Sequence, residues 1–210
     1  MSAQNTRLRG LYVITDNGLT PGPRLATAVT AALRGGAHLV QYRDKSTDQA
    51  RRAREARALL AVCRAHEIPF VVNDDVELAA QVGADGVHVG SEDAPLAEAR
   101  VRLGPHAVIG VSCYGSLARA LAAERAGADY VAFSSPYSSP TKPGAGTAPR
   151  TLLTEARAQL TIPICSIGGI TPANGGELIK AGADMLAVIS GVFAQADIEA
   201  AARRYARLFN

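Results

Sequence analysis

The sequence predicts an α/β protein folded as a single (β/α)8 TIM barrel over residues 1–210, with 1–10 as a flexible N-terminal segment. Short apolar runs alternate with Ala-rich stretches of helical period from end to end, and a Gly-Ala turn recurs every two such units. The candidate strands are 11–15, 39–43, 70–73, 86–89, 108–112, 130–134, 164–167 and 185–190. They are nearly continuously apolar and bounded by Gly, Pro or Asp, as strands of a parallel sheet covered on both faces are. Helical stretches fall between them at 25–34, 47–65, 96–103, 116–126, 173–181 and 198–208. Eight strand and eight helix slots in 210 residues leave about 26 residues per unit, which suits a compact barrel. The turns Gly36-Ala37-His38, Gly83-Ala84-Asp85, Gly127-Ala128-Asp129 and Gly182-Ala183-Asp184 precede the second, fourth, sixth and eighth strands. Gly supplies the left-handed helix stop there. An open doubly wound sheet shares the alternation but does not explain a repeat that keeps step to the last strand.

Composition excludes several classes. With 48% hydrophobic residues, the chain can bury a core without disulfides, and no apolar run approaches the roughly 18 residues of a membrane span. The first ten residues lack an apolar signal core, and three cysteines without a CxxC pair fit reduced thiols, so the expected compartment is the cytoplasm. A net charge of +3 is weak for a nucleic-acid binder, and the cluster Arg51, Arg52, Arg54 and Arg57, with Glu55 among it, is read as a solvated helix face. Neither nucleic acid nor membrane is expected as a partner; small-molecule substrates are, and a homo-oligomer is an open alternative. Nineteen of the 22 basic residues are Arg, so each of Lys45, Lys142 and Lys180 invites a reason.

Barrel chemistry belongs at the C-terminal ends of the strands, and polar residues gather at those junctions. Strand two ends Gln41-Tyr42-Arg43-Asp44-Lys45, strand three Asn73-Asp74-Asp75 and strand four Gly90-Ser91-Glu92-Asp93. Strand five ends at Ser112, and strand six leads to Ser139-Pro140-Thr141-Lys142. Gly168-Gly169 follows strand seven, and Ile189-Ser190-Gly191 follows strand eight. Asp74 and Asp93, one βα unit apart, offer hard oxygen ligands that suit Mg²⁺, whereas Asp75 is read as the cap of the next helix. Arg43, Lys45 and Lys142 converge on the same rim as a site for concentrated negative charge such as a diphosphate. The glycines after strands seven and eight allow a phosphate to approach the backbone. His88 is read as a satisfied interior group rather than a metal ligand, and Cys113 as an inert thiol. Tyr42 and Tyr137 either stack on an aromatic ring or pack, and both alternatives stand at this point.

In order and spacing, QYRDK (41–45), NDD (73–75), DGVHVGSED (85–93), GVS (110–112), SPTK (139–142), IGGI (167–170) and VIS (188–190) resemble the thiamine phosphate synthase (thiamine-phosphate pyrophosphorylase) family over nearly the whole chain. The stretch Ser134-Ser135-Pro136-Tyr137 departs from the family's more usual Gly-containing segment before a Phe. The resemblance implies a transferase of thiamine biosynthesis. It would couple 4-amino-2-methyl-5-(diphosphooxymethyl)pyrimidine with a thiazole phosphate, carboxylated or not, by Mg²⁺-assisted dissociative displacement, giving thiamine phosphate and pyrophosphate. It further implies that Gln41, Tyr42, Arg43, Asp44, Lys45, Asn73, Ser112 and Lys142 hold the pyrimidine diphosphate, with Arg43, Lys45 and Lys142 catalytic. Ser139, Pro140, Thr141, Gly169, Ile189 and Ser190 would hold the thiazole phosphate, and Asp74 and Asp93 the Mg²⁺. The rivals are the thiazole tautomerase branch of the same superfamily, a non-catalytic thiazole-phosphate-binding regulator and another phosphosugar-type barrel enzyme. The loop Ser112-Cys113-Tyr114-Gly115 lacks the His a tautomerase would use, the paired Asp with two Lys argues against the phosphosugar-type enzyme, and a regulator would bind ligand without releasing pyrophosphate.

Overall fold

A computed structural model describes residues 8–90, 96–139 and 146–210. Eight parallel strands, β1 (Gly10–Ile14), β2 (Ala37–Tyr42), β3 (Phe70–Asn73), β4 (Gly86–Val89), β5 (Val108–Tyr114), β6 (Tyr130–Ser134), β7 (Ile164–Ile167) and β8 (Met185–Val188), close in sequence order, with β1 paired to both β2 and β8. The helices between them are α1 (Leu25–Arg34), α2 (Gln49–Ala65), α3 (Val76–Val82), α4 (Leu96–Leu103), α5 (Leu117–Arg125), α6 (Thr151–Arg157) and α7 (Gly175–Lys180). A short α8 (Ser190–Phe193) and α9 (Ile198–Ala206) follow β8. The predicted barrel is therefore the observed one. Among the described residues no helix is long and apolar enough to cross a membrane.

Strand residues alternate between two apolar layers, as a period of two requires. Tyr12, Ile14, Leu39, Val71, Tyr130, Ala132, Cys165, Met185 and Ala187 fill the interior. Val13, Val40, Val72, Val87, Ile109, Val131 and Leu186 face the helices. Leu8 is buried with the interior set, so the barrel begins inside the stretch expected to be a flexible segment; residues 1–7 lie outside the described residues.

The Gly-Ala-Asp repeat has a structural cause. The carboxylate of Asp85 accepts the backbone N–H of Phe70 at 2.8 Å, Asp129 that of Ile109 at 2.8 Å and Asp184 that of Ile164 at 2.8 Å. Each acid preceding an even strand thus satisfies a first-turn N–H on the odd strand beside it, a group a strand end would otherwise leave unpaired. The preceding Gly83, Gly127 and Gly182 take φ of +72°, +90° and +117°, a region costly for other residues.

Differences from the predicted elements are local. The helices α3 and α6 fill two of the eight expected helix slots without bounds having been predicted for them, although Asp75 marks the start of α3. Each has only seven residues, too few to display several turns of apolar period. β8 stops at Val188 because Ser190 opens α8, and β5 runs on to Tyr114 through a register shift against β6. The Arg cluster is not simply a solvated face: Arg51 pairs with Asp44 at 2.6 Å and Arg52 with Asp75 at 2.9 Å, both beside the C-terminal rim. An Arg near a strand end finds carboxylates on the neighbouring loop, a contact no helix-face count reveals.

Candidate active site

A cavity open to solvent sits at the C-terminal ends of the strands. Gln41, Arg43, Asn73, His88, Ser112, Ser134 and Ser139 supply its polar lining, and Tyr12, Ile14, Ala132, Ile167 and Ile189 its apolar walls. A smaller lobe shares Ser139, Gly168 and Ile189 and continues over Gly169, Ser190 and Gly191. Groups from all eight strands or the loops that follow them therefore meet at one end of the barrel.

The QYRDK segment divides by strand period. Gln41 and Arg43 line the cavity, while Tyr42 is buried against the helix layer, its hydroxyl donating to Glu55 at 2.7 Å. Tyr42 therefore packs, and it does not face the lobe that the resemblance assigned to it; Tyr137 lines the cavity. Asp44 is likewise turned away and tied up by the Ser46 N–H at 2.8 Å and by Arg51. Burial pushes its carboxyl up, but the Ser46 hydrogen bonds and Arg51 outweigh this and hold it below the usual value. Arg43 is fixed at both ends: its N–H donates to Thr15 Oγ1 at 2.9 Å and its guanidinium meets Asp16 at 3.2 Å. Thr15 and Asp16 at the end of β1 were not singled out from the sequence, although a polar Thr-Asp-Asn directly after an apolar strand is the signal that marked the other junctions.

Lys45 ion-pairs with Asp74, and Asn73 Nδ2 donates to the same carboxylate at 2.6 Å. Asp74 has φ +62°, a left-handed conformation that Asp tolerates better than most residues. Asp75 caps α3 by accepting the Leu78 N–H at 2.8 Å, as expected. Asp93, and with it Pro140, Thr141 and Lys142, lie outside the described residues. Among the described residues no group of three or more His, Cys, Asp or Glu gathers as a metal centre. Asp74 nevertheless fits a hard cation: it directly follows Asn73, which lines the cavity at the end of β3, and its carboxylate already draws an ammonium group to itself.

The loops after β6 and β7 are stitched together. Ser135 donates its hydroxyl to the Gly168 carbonyl and its N–H to the Ile167 carbonyl at 2.8 Å. Gly169 takes φ +58°, and a Cβ there would fall 2.3 Å from the Ser138 carbonyl oxygen, so this turn admits only glycine. The smaller lobe owes its shape to that close approach.

His88 is satisfied as predicted, its ring nitrogens 2.9 Å from Tyr130 Oη and 2.9 Å from Ser112 Oγ. The fully buried Tyr130 ring lies against Gly110, where a Cβ would stand 2.0 Å from its Cζ. Gly110→Ala is expected to displace that ring and cost about 1–3 kcal/mol of stability by overpacking. Thermal unfolding measures the loss, and an unchanged melting temperature would contradict it. All three cysteines are buried; burial pushes the Cys113 thiol up to about 12, which suits an inert group rather than a nucleophile.

A closed parallel barrel with a two-lobed cavity at its strand ends, reached by Arg43, defines an enzyme of the (β/α)8 class. The family model described as thiamine monophosphate synthase matches residues 11–192. A thiamine-phosphate synthase of Thioalkalivibrio sulfidiphilus is 56% identical over 209 residues, covering 100% of this chain and 99% of that protein. That of Nitrosococcus oceani is 51% identical over 205 residues, covering 98% and 94%. The solved thiamine phosphate pyrophosphorylase of Pyrococcus furiosus superposes with a TM-score of 0.88 at 34% identity, covering 98% of each chain. The chain belongs to the thiamine monophosphate synthase family, and it is a transferase.

Proposed function

We propose that the chain joins 4-amino-2-methyl-5-(diphosphooxymethyl)pyrimidine to a thiazole phosphate, carboxylated or not, and releases pyrophosphate, in cytoplasmic thiamine biosynthesis. The observation that carries this reading is the division of the cavity. One lobe carries Gln41, Arg43, Asn73, His88 and Ser112 among apolar walls, and the other is smaller and lined by Gly168, Gly169 and Gly191 beside Ser190. A ring bearing a diphosphate suits the first, and a phosphate anchored against backbone suits the second.

In this reading Gln41, Asn73 and Ser112 orient the pyrimidine, and Ser139, Thr141, Gly169, Ile189 and Ser190 hold the thiazole phosphate. Asp74 and Asp93 would hold Mg²⁺, which when bound supplies positive charge against diphosphate oxygens. Arg43, Lys45 and Lys142 disperse the charge that grows on the departing pyrophosphate, so that the C–O bond breaks with its electron pair leaving on oxygen. The aminopyrimidine spreads the resulting methylene cation over its ring. The thiazole nitrogen then donates its lone pair to that carbon, forming the C–N bond and leaving a thiazolium product. The apolar walls, Ile14, Ala132, Ile167 and Ile189, keep water from the cation. No side-chain nucleophile takes part.

Incubation of the chain with both substrates, with and without Mg²⁺, tests this. The expected result is equimolar pyrophosphate and thiamine phosphate, dependent on Mg²⁺. Isomerisation of the thiazole without pyrophosphate would identify a tautomerase, and binding without turnover a regulator.

A further inference from the structure

Five side chains form one hydrogen-bonded chain across the floor of the larger lobe. Gln41 Nε2 donates to Tyr12 Oη, which lies 2.9 Å from Tyr130 Oη. Tyr130 Oη is 2.9 Å from His88 Nδ1, and His88 Nε2 is 2.9 Å from Ser112 Oγ. The links come from β2, β1, β6, β4 and β5, and the rings are held by an edge-on Tyr12–Tyr130 contact at 6.0 Å and a stacked His88–Tyr130 contact at 5.5 Å. Both phenols are fully buried, and burial holds each well above the ordinary phenol value, so each keeps its one proton.

One proton per phenol imposes a direction. Tyr12 accepts the Gln41 N–H and therefore gives its own proton to Tyr130. Tyr130, having accepted, gives its proton to His88 Nδ1. His88 then carries its proton on Nε2 and donates it to Ser112, whose hydroxyl proton is left to face the cavity. Turning the Gln41 amide reverses every link together: the Gln41 carbonyl then accepts from Tyr12, and Ser112 spends its proton on His88 and shows the cavity an acceptor. Any mixed arrangement leaves one link with two facing lone pairs and no proton between them, or with two protons facing each other, and either is costly in a buried chain.

We propose that Tyr12, Tyr130 and His88 are positioning residues that couple Gln41 to Ser112, so that the two ends always offer a ligand opposite hydrogen-bonding faces. This rests on the reading of the larger lobe as the pyrimidine site and deepens it by naming what the lobe selects: a flat ring with an acceptor nitrogen beside an exocyclic amino group. In the direction set by the Gln41 amide donating to Tyr12, the Ser112 hydroxyl meets the ring nitrogen and the Gln41 carbonyl meets the amino group.

Two measurements test the coupling. In the ligand-free enzyme, nitrogen-15 spectra of His88 are expected to show a single tautomer with the proton on Nε2, and a mixture of tautomers in Tyr130→Phe. Tyr12→Phe, which breaks the adjacent link, serves the same end should Tyr130→Phe not fold. A mixture in the unmodified enzyme overturns the relay whatever the ligand is. Dissociation constants for the pyrimidine diphosphate in Gln41→Ala, Ser112→Ala and the double variant are expected to depart from multiplicative losses by about threefold or more. In the Tyr130→Phe background the losses should multiply to within about twofold. Multiplicative losses in the unmodified background, or a departure that survives Tyr130→Phe, overturn the coupling. An unmodified enzyme that keeps the single tautomer yet binds no pyrimidine diphosphate overturns the reading of the lobe and the selectivity drawn from it.

Discussion

Arg43→Ala is expected to lower kcat/KM by about 10²- to 10³-fold, the range seen when one fixed donor to a developing negative charge is removed. Arg43 lines the cavity at the end of β2, held by Asp16 through one terminal nitrogen. Its Nε is buried and has no hydrogen-bond partner among the described residues. A buried donor without an acceptor is a standing cost that a bound anion relieves. The Arg43 backbone N–H donates to the Thr15 hydroxyl, so truncating the side chain leaves this link between the ends of β1 and β2 intact. The fold should survive, with a melting temperature shifted only slightly. Arg43→Lys restores charge without the planar fork and should recover part of the loss. Steady-state kinetics at saturating Mg²⁺ check both variants; a kcat/KM within twofold of the unmodified enzyme in Arg43→Ala would remove Arg43 from the diphosphate site.

Asp74→Asn is the second large effect: turnover at limiting Mg²⁺ should fall on the order of 10²-fold or more. Asn is nearly isosteric with Asp and shares its tolerance of the left-handed region that Asp74 occupies at φ +62°. The substitution therefore removes charge without demanding a new backbone. Lys45 loses its ionic partner but is more than half exposed, with 57% of its side chain accessible, so solvent compensates and little stability changes. Titration of activity with Mg²⁺ separates the roles. A half-saturating concentration raised severalfold with folding preserved supports a ligand role, and an unchanged Mg²⁺ dependence would contradict it.

What was legible in the sequence follows from the range of the signals. Strands 70–73, 86–89, 130–134 and 164–167 were predicted to the residue, because a strand buried on both faces is a short apolar run whose ends are marked by Gly, Pro or Asp. The rim was legible for the same reason: polar residues that directly follow such a run stand at one end of a barrel. Tyr42 and Asp44 were drawn into the site by a motif read as a block, whereas a strand turns alternate residues away, and only Gln41 and Arg43 reach the cavity. Arg51 and Arg52 were read from the composition of their own helix, yet their partners Asp44 and Asp75 come from neighbouring loops. The His88–Tyr130–Tyr12 chain joins strands far apart in sequence, and nothing in the local pattern around any of the three announces the other two. Barrel closure creates those contacts, so they belong to the fold and not to any segment.

Acidic and basic side chains from separate strands are expected to hold a metal-bound diphosphate together at the C-terminal mouth. A crystal structure of the enzyme grown with Mg²⁺ and pyrophosphate measures this directly. The expected result is an ion about 2.0–2.1 Å from carboxylate oxygens of Asp74 and Asp93, with pyrophosphate bridging it to Arg43, Lys45 and Lys142. Pyrophosphate bound away from Arg43, or an ion that leaves Asp74 paired with Lys45 alone, would contradict it.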